Sequence, residues 1–146
     1  MFKHILLATD GSPVCDRAAQ VAAGLARTHG ARLTAVYVVD PYPYLGIGQA
    51  NPIGFEAYIQ AAHSHAGQAL SRAVEAAQAG GPSLQVETRI VEEAAAAHGI
   101  AQTATDEGAD LIVMGSHGHG ALRKLVLGSV TTRVLAEATV PVMVVR

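Results

Sequence analysis

Gly115-Ser116-His117-Gly118, nine further residues and then Gly128-Ser129 set out the spacing Gly-x2-Gly-x9-Gly-Ser. The apolar run Leu111 to Met114 precedes it, and Val130, Val134, Leu135 and Ala138 follow at helical spacing. The stretch therefore reads as strand, glycine-rich loop, helix. Such a loop can hold phosphate. Glycine tolerates φ > 0 and has no Cβ, so backbone N–H groups can turn inward and form an anion nest. A helix beginning at Gly128-Ser129 adds unpaired N–H groups and partial positive charge. The plainer reading is a set of turns, since glycines commonly follow strands. No Gly-Lys-Ser/Thr closes the loop, and no Gly-x-Gly-x-x-Gly follows the first strand, so neither of the two best-known phosphate motifs is present.

Other side chains could add chemistry. Asp10 follows the first strand in Thr9-Asp10-Gly11. It could bind a ribose hydroxyl or a Mg²⁺ ion, or it could form a turn by bonding its own backbone. His117 and His119 flank Gly118 and are either phosphate donors or exposed loop residues. His63 and His65 stand two apart in a helical stretch and point to different faces, which argues against a metal pair. Cys15 falls in the first turn of a helix, where a thiolate can be stabilised, or it is a buried inert thiol. Arg123 and Lys124 either neutralise phosphate or are solvated loop charges.

The elements that position these residues are legible from periodicity. Ile5 to Ala8 is a continuous apolar strand covered on both faces. Ser12 as N-cap and Pro13 at the first position open a helix whose Val14, Ala18, Val21 and Leu25 form one face, and Gly30 stops it. Arg32 to Val39 is the second strand. Asp40 to Pro52, rich in proline and glycine, is a long loop in which Tyr42 and Tyr44 either cover a bound base or pack on their own backbone. A helix runs over 53–79, with Ile59, Ala62, Ala66, Leu70, Ala73 and Ala77 on its buried face. Leu84, Val86, Thr88 and Ile90 alternate with polar residues, which predicts a half-exposed edge strand. A helix over 93–107 follows, with Glu92 and Glu93 suited to its dipole. The fourth strand, the glycine loop, a helix to Ala138 and a last strand at Pro141 to Val145 complete the chain.

Five strands alternating with four helices predict a single-domain open α/β fold, a parallel sheet of order 3-2-1-4-5 with helices on both faces. Its switch point lies between the first and fourth strands, where open α/β sheets bind ligands. Thr9 and Asp10 on one side, and Met114, Gly115, His117, Gly118, Gly128, Ser129 and Val130 on the other, converge on that crevice. Half of the 146 residues are hydrophobic and 15% are charged, which excludes general disorder. A formal charge of −2 gives no electrostatic case for nucleic acid. One cysteine permits no intrachain disulfide, and neither a signal peptide nor a run of about 20 apolar residues is read. A soluble cytoplasmic protein is expected.

The glycine signature, the opening strand ending Thr-Asp-Gly-Ser, Tyr37-Val38-Val39 and the closing Pro-Val-x-Val-Val together resemble a single-domain universal stress protein of the ATP-binding branch, along nearly the whole chain. The resemblance implies a Rossmann-like fold that binds ATP with Mg²⁺. It implies that Asp10 lies near the ribose or metal, Val38 near the base, and Gly115, Gly118, Gly128, Ser129 and Val130 on the phosphates. It also implies a homodimer through the C-terminal strand, whose edge no later residue covers. The expected role is a nucleotide-dependent stress sensor or switch, not an enzyme, read by a downstream partner that the residues do not identify. The alternatives are a slow ATPase or phosphotransferase of the same fold, and a structural interaction protein that has lost nucleotide.

Overall fold

The computed structural model describes residues 1–41, 52–92, 94–118 and 126–146. Its elements are β1 (His4–Ala8), α1 (Pro13–His29), β2 (Arg32–Val38), α2 (Pro52–Gln78), β3 (Val86–Val91), α3 (Ala96–Asp106), β4 (Leu111–Gly115), α4 (Ser129–Glu137) and β5 (Val142–Val145). The strands form one parallel sheet in the order β3-β2-β1-β4-β5. The predicted architecture is therefore the observed one. β1 lies at the centre, with Ala8 opposite Val36 of β2 and Met114 of β4.

Alternation along the central strands divides the core in two. Ile5, Leu7, Leu33, Ala35, Leu111 and Val113 face α1 and α2. Leu6, Ala8, Val36, Ile112 and Met114 face α3 and α4. Both faces are covered, which is why β4 and, after His4, β1 are apolar, and why both strands are buried at every position.

The helices differ from expectation in which side chains they bury. The buried stripe of α1 is Cys15, Ala18, Ala19, Ala22, Ala23 and Ala26, while Val14, Val21 and Leu25 are only half-buried at its flanks. Small side chains let α1 lie close to the sheet, so the stripe follows the alanines instead of the larger residues. In α2, Ala66, Leu70, Ala73 and Ala77 are buried as expected, with Ala69 beside them. Ile59 and Ala62 are only half-buried. Gly30 ends α1 in the left-handed conformation at φ 64°, with its N–H donating to the Ala26 carbonyl.

β3 is the expected edge strand, but its alternation does not sort buried from exposed. Ile90, counted on the inner face, is 39% exposed. Instead Glu87 bridges Arg32 and Arg89, and Arg89 also pairs with Glu107, so side-chain charges dress this edge. The third helix starts at Ala96, after the expected position. Glu92 precedes it and pairs with His63 of α2, so it does not sit in the helix's first turn. Glu93 lies outside the described residues.

Gly99 lets α3 approach β2. A Cβ there would stand 3.0 Å from both methyls of Val38. Gly99→Leu is therefore expected to destabilise the chain by a net of up to ~2 kcal/mol. Overpacking costs about 1–3 kcal/mol, and about 1 kcal/mol of helix propensity offsets part of it. Urea unfolding checks this, with Gly99→Ala close to wild type as the control.

Candidate functional site

The sheet brings the ends of β1, β2 and β4 to one edge, and the chain leaves each of them differently. After β1, Thr9 still pairs with the sheet, its N–H donating to the Val36 carbonyl at 3.0 Å. The chain then turns sharply through Gly11 at φ 81°. Thr9 Oγ1 accepts the Gly11 N–H at 3.1 Å, and Asp10 Oδ1 accepts the Ser12 N–H at 2.9 Å. Asp10 thus does form the turn that its place before glycine suggested. Ser12 is the residue before α1, yet its side chain makes no cap hydrogen bond. Its hydroxyl lies 3.4 Å from Cys15 Sγ instead.

After β4, the Ser116 N–H donates to the Val145 carbonyl at 2.8 Å, and the Ser116 carbonyl accepts the Gly128 N–H at 2.8 Å. The two ends of the loop are therefore tied together at Ser116. Thr131 Oγ1 donates to the Gly115 carbonyl at 3.0 Å and fixes the first turn of α4 to the end of β4. The Gly128 amide is committed to the Ser116 carbonyl. The first intrahelical bond of α4 runs from the Thr132 N–H to the Gly128 carbonyl, and no side chain caps the helix. The amides of Ser129, Val130 and Thr131 come before that bond and are not consumed by it.

The glycines of the loop act by lacking a Cβ. Among the described residues, glycines with positive φ are Gly11, Gly30 and Gly108, and none belongs to the Gly-x2-Gly-x9-Gly-Ser motif. A Cβ at Gly115 would stand 2.9 Å from Val14 Cγ1, and one at Gly128 would stand 3.2 Å from His117 Cα. A Cβ at Gly118 would overlap Asp10 Oδ2. The loop after β4 and the turn after β1 are thus in direct contact.

Between them opens a cavity of about 710 Å³. Thr9, Asp10, Val38, Met114, Gly115, His117, Gly118, Gly128, Ser129 and Val130 all line it, so the structure brings these ten sequence-derived candidates to one place. The volume lies in the range of small-molecule sites. One part of the wall is apolar, with Ala8, Val36, Val38, Ala96 and Ile100. The other is polar, with Asp10, His117, Ser129 and the glycine backbone. Cys15, singled out from the sequence at a helix start, lines it too; Tyr37, Asp40, Ala96, Ile100, Val126, Leu127 and Thr131 also line the cavity, and they were not among the candidates. Ile100 and Ala96 come from α3, where only the crossover geometry shows that they reach the site.

The electrostatics keep two of these groups neutral. Burial, and then the carboxylates of Asp40 and Asp10, push the Tyr37 phenol above its ordinary range. Burial, and then the Asp10 carboxylate, likewise push the Cys15 thiol up. Cys15 is buried. The stabilised-thiolate reading of Cys15 is therefore wrong: desolvation and a neighbouring negative charge outweigh its place at a helix start. The His117 ring is held through Nδ1, 3.0 Å from Ser116 Oγ. His65 stacks edge-on against Tyr37, with centroids 5.6 Å apart. Among the described residues no group of three or more His, Cys, Asp or Glu side chains could hold a metal ion. No helix among them is long and apolar enough to cross a membrane. His119, Arg123, Lys124, Tyr42 and Tyr44 lie outside the described residues.

Comparison with known proteins agrees with this arrangement. The model of the universal stress protein family matches residues 1–146. A universal stress protein of Thermus aquaticus is 44% identical over 153 residues, covering 100% of both chains. Among solved structures, universal stress protein UspA of Lactobacillus plantarum is 28% identical with a TM-score of 0.78, covering 99% of this chain and 97% of that one. A universal stress protein crystallised in complex with cAMP is 25% identical with a TM-score of 0.71, over 99% and 97% of the two chains. From its sheet order, its glycine signature and these whole-length matches, the chain belongs to the universal stress protein family.

Proposed function

We propose that this chain is an ATP-binding module that acts as a nucleotide-dependent sensor or switch. The observation that carries the reading is the cavity at the β1/β4 switch point, lined on one side by the glycine loop and the start of α4 and on another by apolar side chains of β2 and α3. The Ser129 and Val130 amides suit phosphate oxygens, because a helix start offers unconsumed N–H groups and partial positive charge. Val38 and Ile100 suit the faces of a purine. Asp10 suits a ribose hydroxyl. The relative crystallised with cAMP supports an adenine nucleotide as the ligand class.

Mg²⁺ would accompany the phosphates. This ion commonly uses one or two carboxylates together with substrate phosphates and water. Asp10 and Asp40 are the carboxylates on the cavity wall, and Asp10 is the one beside the glycine loop, so the donor set fits an ion that arrives with the nucleotide. The ion would screen the phosphate charge.

Binding without efficient turnover is the preferred reading. Oδ1 of Asp10 already accepts two hydrogen bonds, from the Ser12 amide and the Cys15 thiol, so it is engaged in its turn and not offered to an attacking water. The Cys15 thiol is held protonated and is a poor nucleophile. Mass spectrometry of nucleotide retained by the purified native protein tests the reading. Retained ATP supports a binding module. Retained ADP or AMP supports the alternative, a slow ATPase.

A homodimer through β5 belongs to the same proposal. β5 is an edge strand whose Val142, Met143 and Val144 are only half-buried, and strong β-formers at an uncovered edge invite a second strand. A two-fold axis would lay two such strands side by side. Sedimentation equilibrium is expected to give twice the chain mass of 15.0 kDa at micromolar concentration. Val144→Lys should shift the mass to the monomer. A wild-type monomer contradicts the dimer, and a folded Val144→Lys dimer places the interface elsewhere.

A further inference from the structure

One buried group on the cavity wall has no role in the account above. Cys15 sits in the first turn of α1, and its Sγ donates to Asp10 Oδ1 at 3.2 Å. The Ser12 N–H donates to the same oxygen at 2.9 Å. One carboxylate oxygen is therefore held from two directions, by a backbone amide and by a side chain. The other oxygen, Oδ2, faces the Cα of Gly118 across the site. Cys15 is buried, so its S–H donor is held against this carboxylate away from solvent.

We propose that Cys15 is a positioning residue for sugar recognition: its S–H pins Oδ1 of Asp10 and so fixes the carboxylate at the angle that presents it to a ribose hydroxyl in the cavity. The role rests on the nucleotide reading of this cavity. It differs from a packing role in a way that can be measured. A packing defect at the cavity wall would weaken every ligand of the loop, whereas a loosened Asp10 weakens only ligands that carry a sugar. A hydroxyl at the same position can replace the donor, and a methyl cannot.

Cys15→Ala and Cys15→Ser separate these roles. By calorimetry, Cys15→Ala is expected to weaken ATP about three- to tenfold, while inorganic tripolyphosphate stays within about twofold of wild type. Cys15→Ser should recover most of the ATP affinity. In an Asp10→Ala background, Cys15→Ala should have no further effect on ATP, because the group it orients is gone. A readout without ligand comes from NMR titration of the Asp10 carboxyl, which should move to higher pH in Cys15→Ala and return in Cys15→Ser, since a lost donor destabilises the charged form. Equal weakening of ATP and tripolyphosphate, or an unchanged Asp10 titration, would overturn the proposal. Failure of wild type to bind ATP is the separate failure of the nucleotide reading. It removes the sugar role even if the titration shows Cys15 holding Asp10.

Discussion

Gly118→Val is expected to abolish the thermal stabilisation that ATP confers on the wild-type chain. A ligand that binds only the native state adds roughly 2.7 kcal/mol at about 100 times its Kd. For a domain of this size that raises Tm by roughly 5–10 °C. The substitution acts through space and not through backbone strain. Gly118 does not adopt positive φ, but a Cβ there would overlap Asp10 Oδ2. A valine must therefore push the Asp10 turn and the glycine loop apart, and its methyls would intrude on the cavity wall between them. Overpacking also costs about 1–3 kcal/mol in the absence of ligand, so the quantity to compare is the ATP-induced shift within each protein. A variant that keeps the full shift would place the nucleotide elsewhere.

Asp10→Ala is expected to weaken ATP by roughly ten- to a hundredfold while leaving tripolyphosphate nearly unchanged. A hydrogen bond to a charged group contributes about 1.5–3 kcal/mol, and about 1.4 kcal/mol is tenfold in affinity. Calorimetry with both ligands checks the difference. Equal weakening of the two would assign Asp10 to the metal instead of the sugar. No change in either would leave it only the turn that its Oδ1 forms with the Ser12 amide. The substitution removes that turn as well, so a modest loss of stability is expected whichever ligand role holds.

The fold was legible because burial on both faces writes itself as apolar runs. Ile5 to Ala8 and Leu111 to Met114 read as central strands, and the polar alternation of 84–90 as an edge, and the sheet places them so. With those places fixed, the strand order follows, and with it the crevice where Thr9, Asp10 and the glycine loop meet. What the sequence concealed was side-chain detail at close approach. Periodicity weighted toward large residues rotated the buried face of α1 away from its alanines. Glycine was read as a source of φ > 0, whereas Gly115, Gly118 and Gly128 are needed for the contacts a Cβ would block. Glu92 was assigned to a helix dipole because its partner, His63, is distant in the chain. Ile100 and Thr131 reach the cavity through packing between elements, for which no local spacing is a signal.

Isothermal titration of the wild-type chain with Mg-ATP decides whether the cavity at the β1/β4 switch point binds ATP. Saturable heat at one ATP per chain is expected, lost in Gly118→Val. No saturable heat and no rise in Tm at millimolar Mg-ATP would contradict ATP binding there.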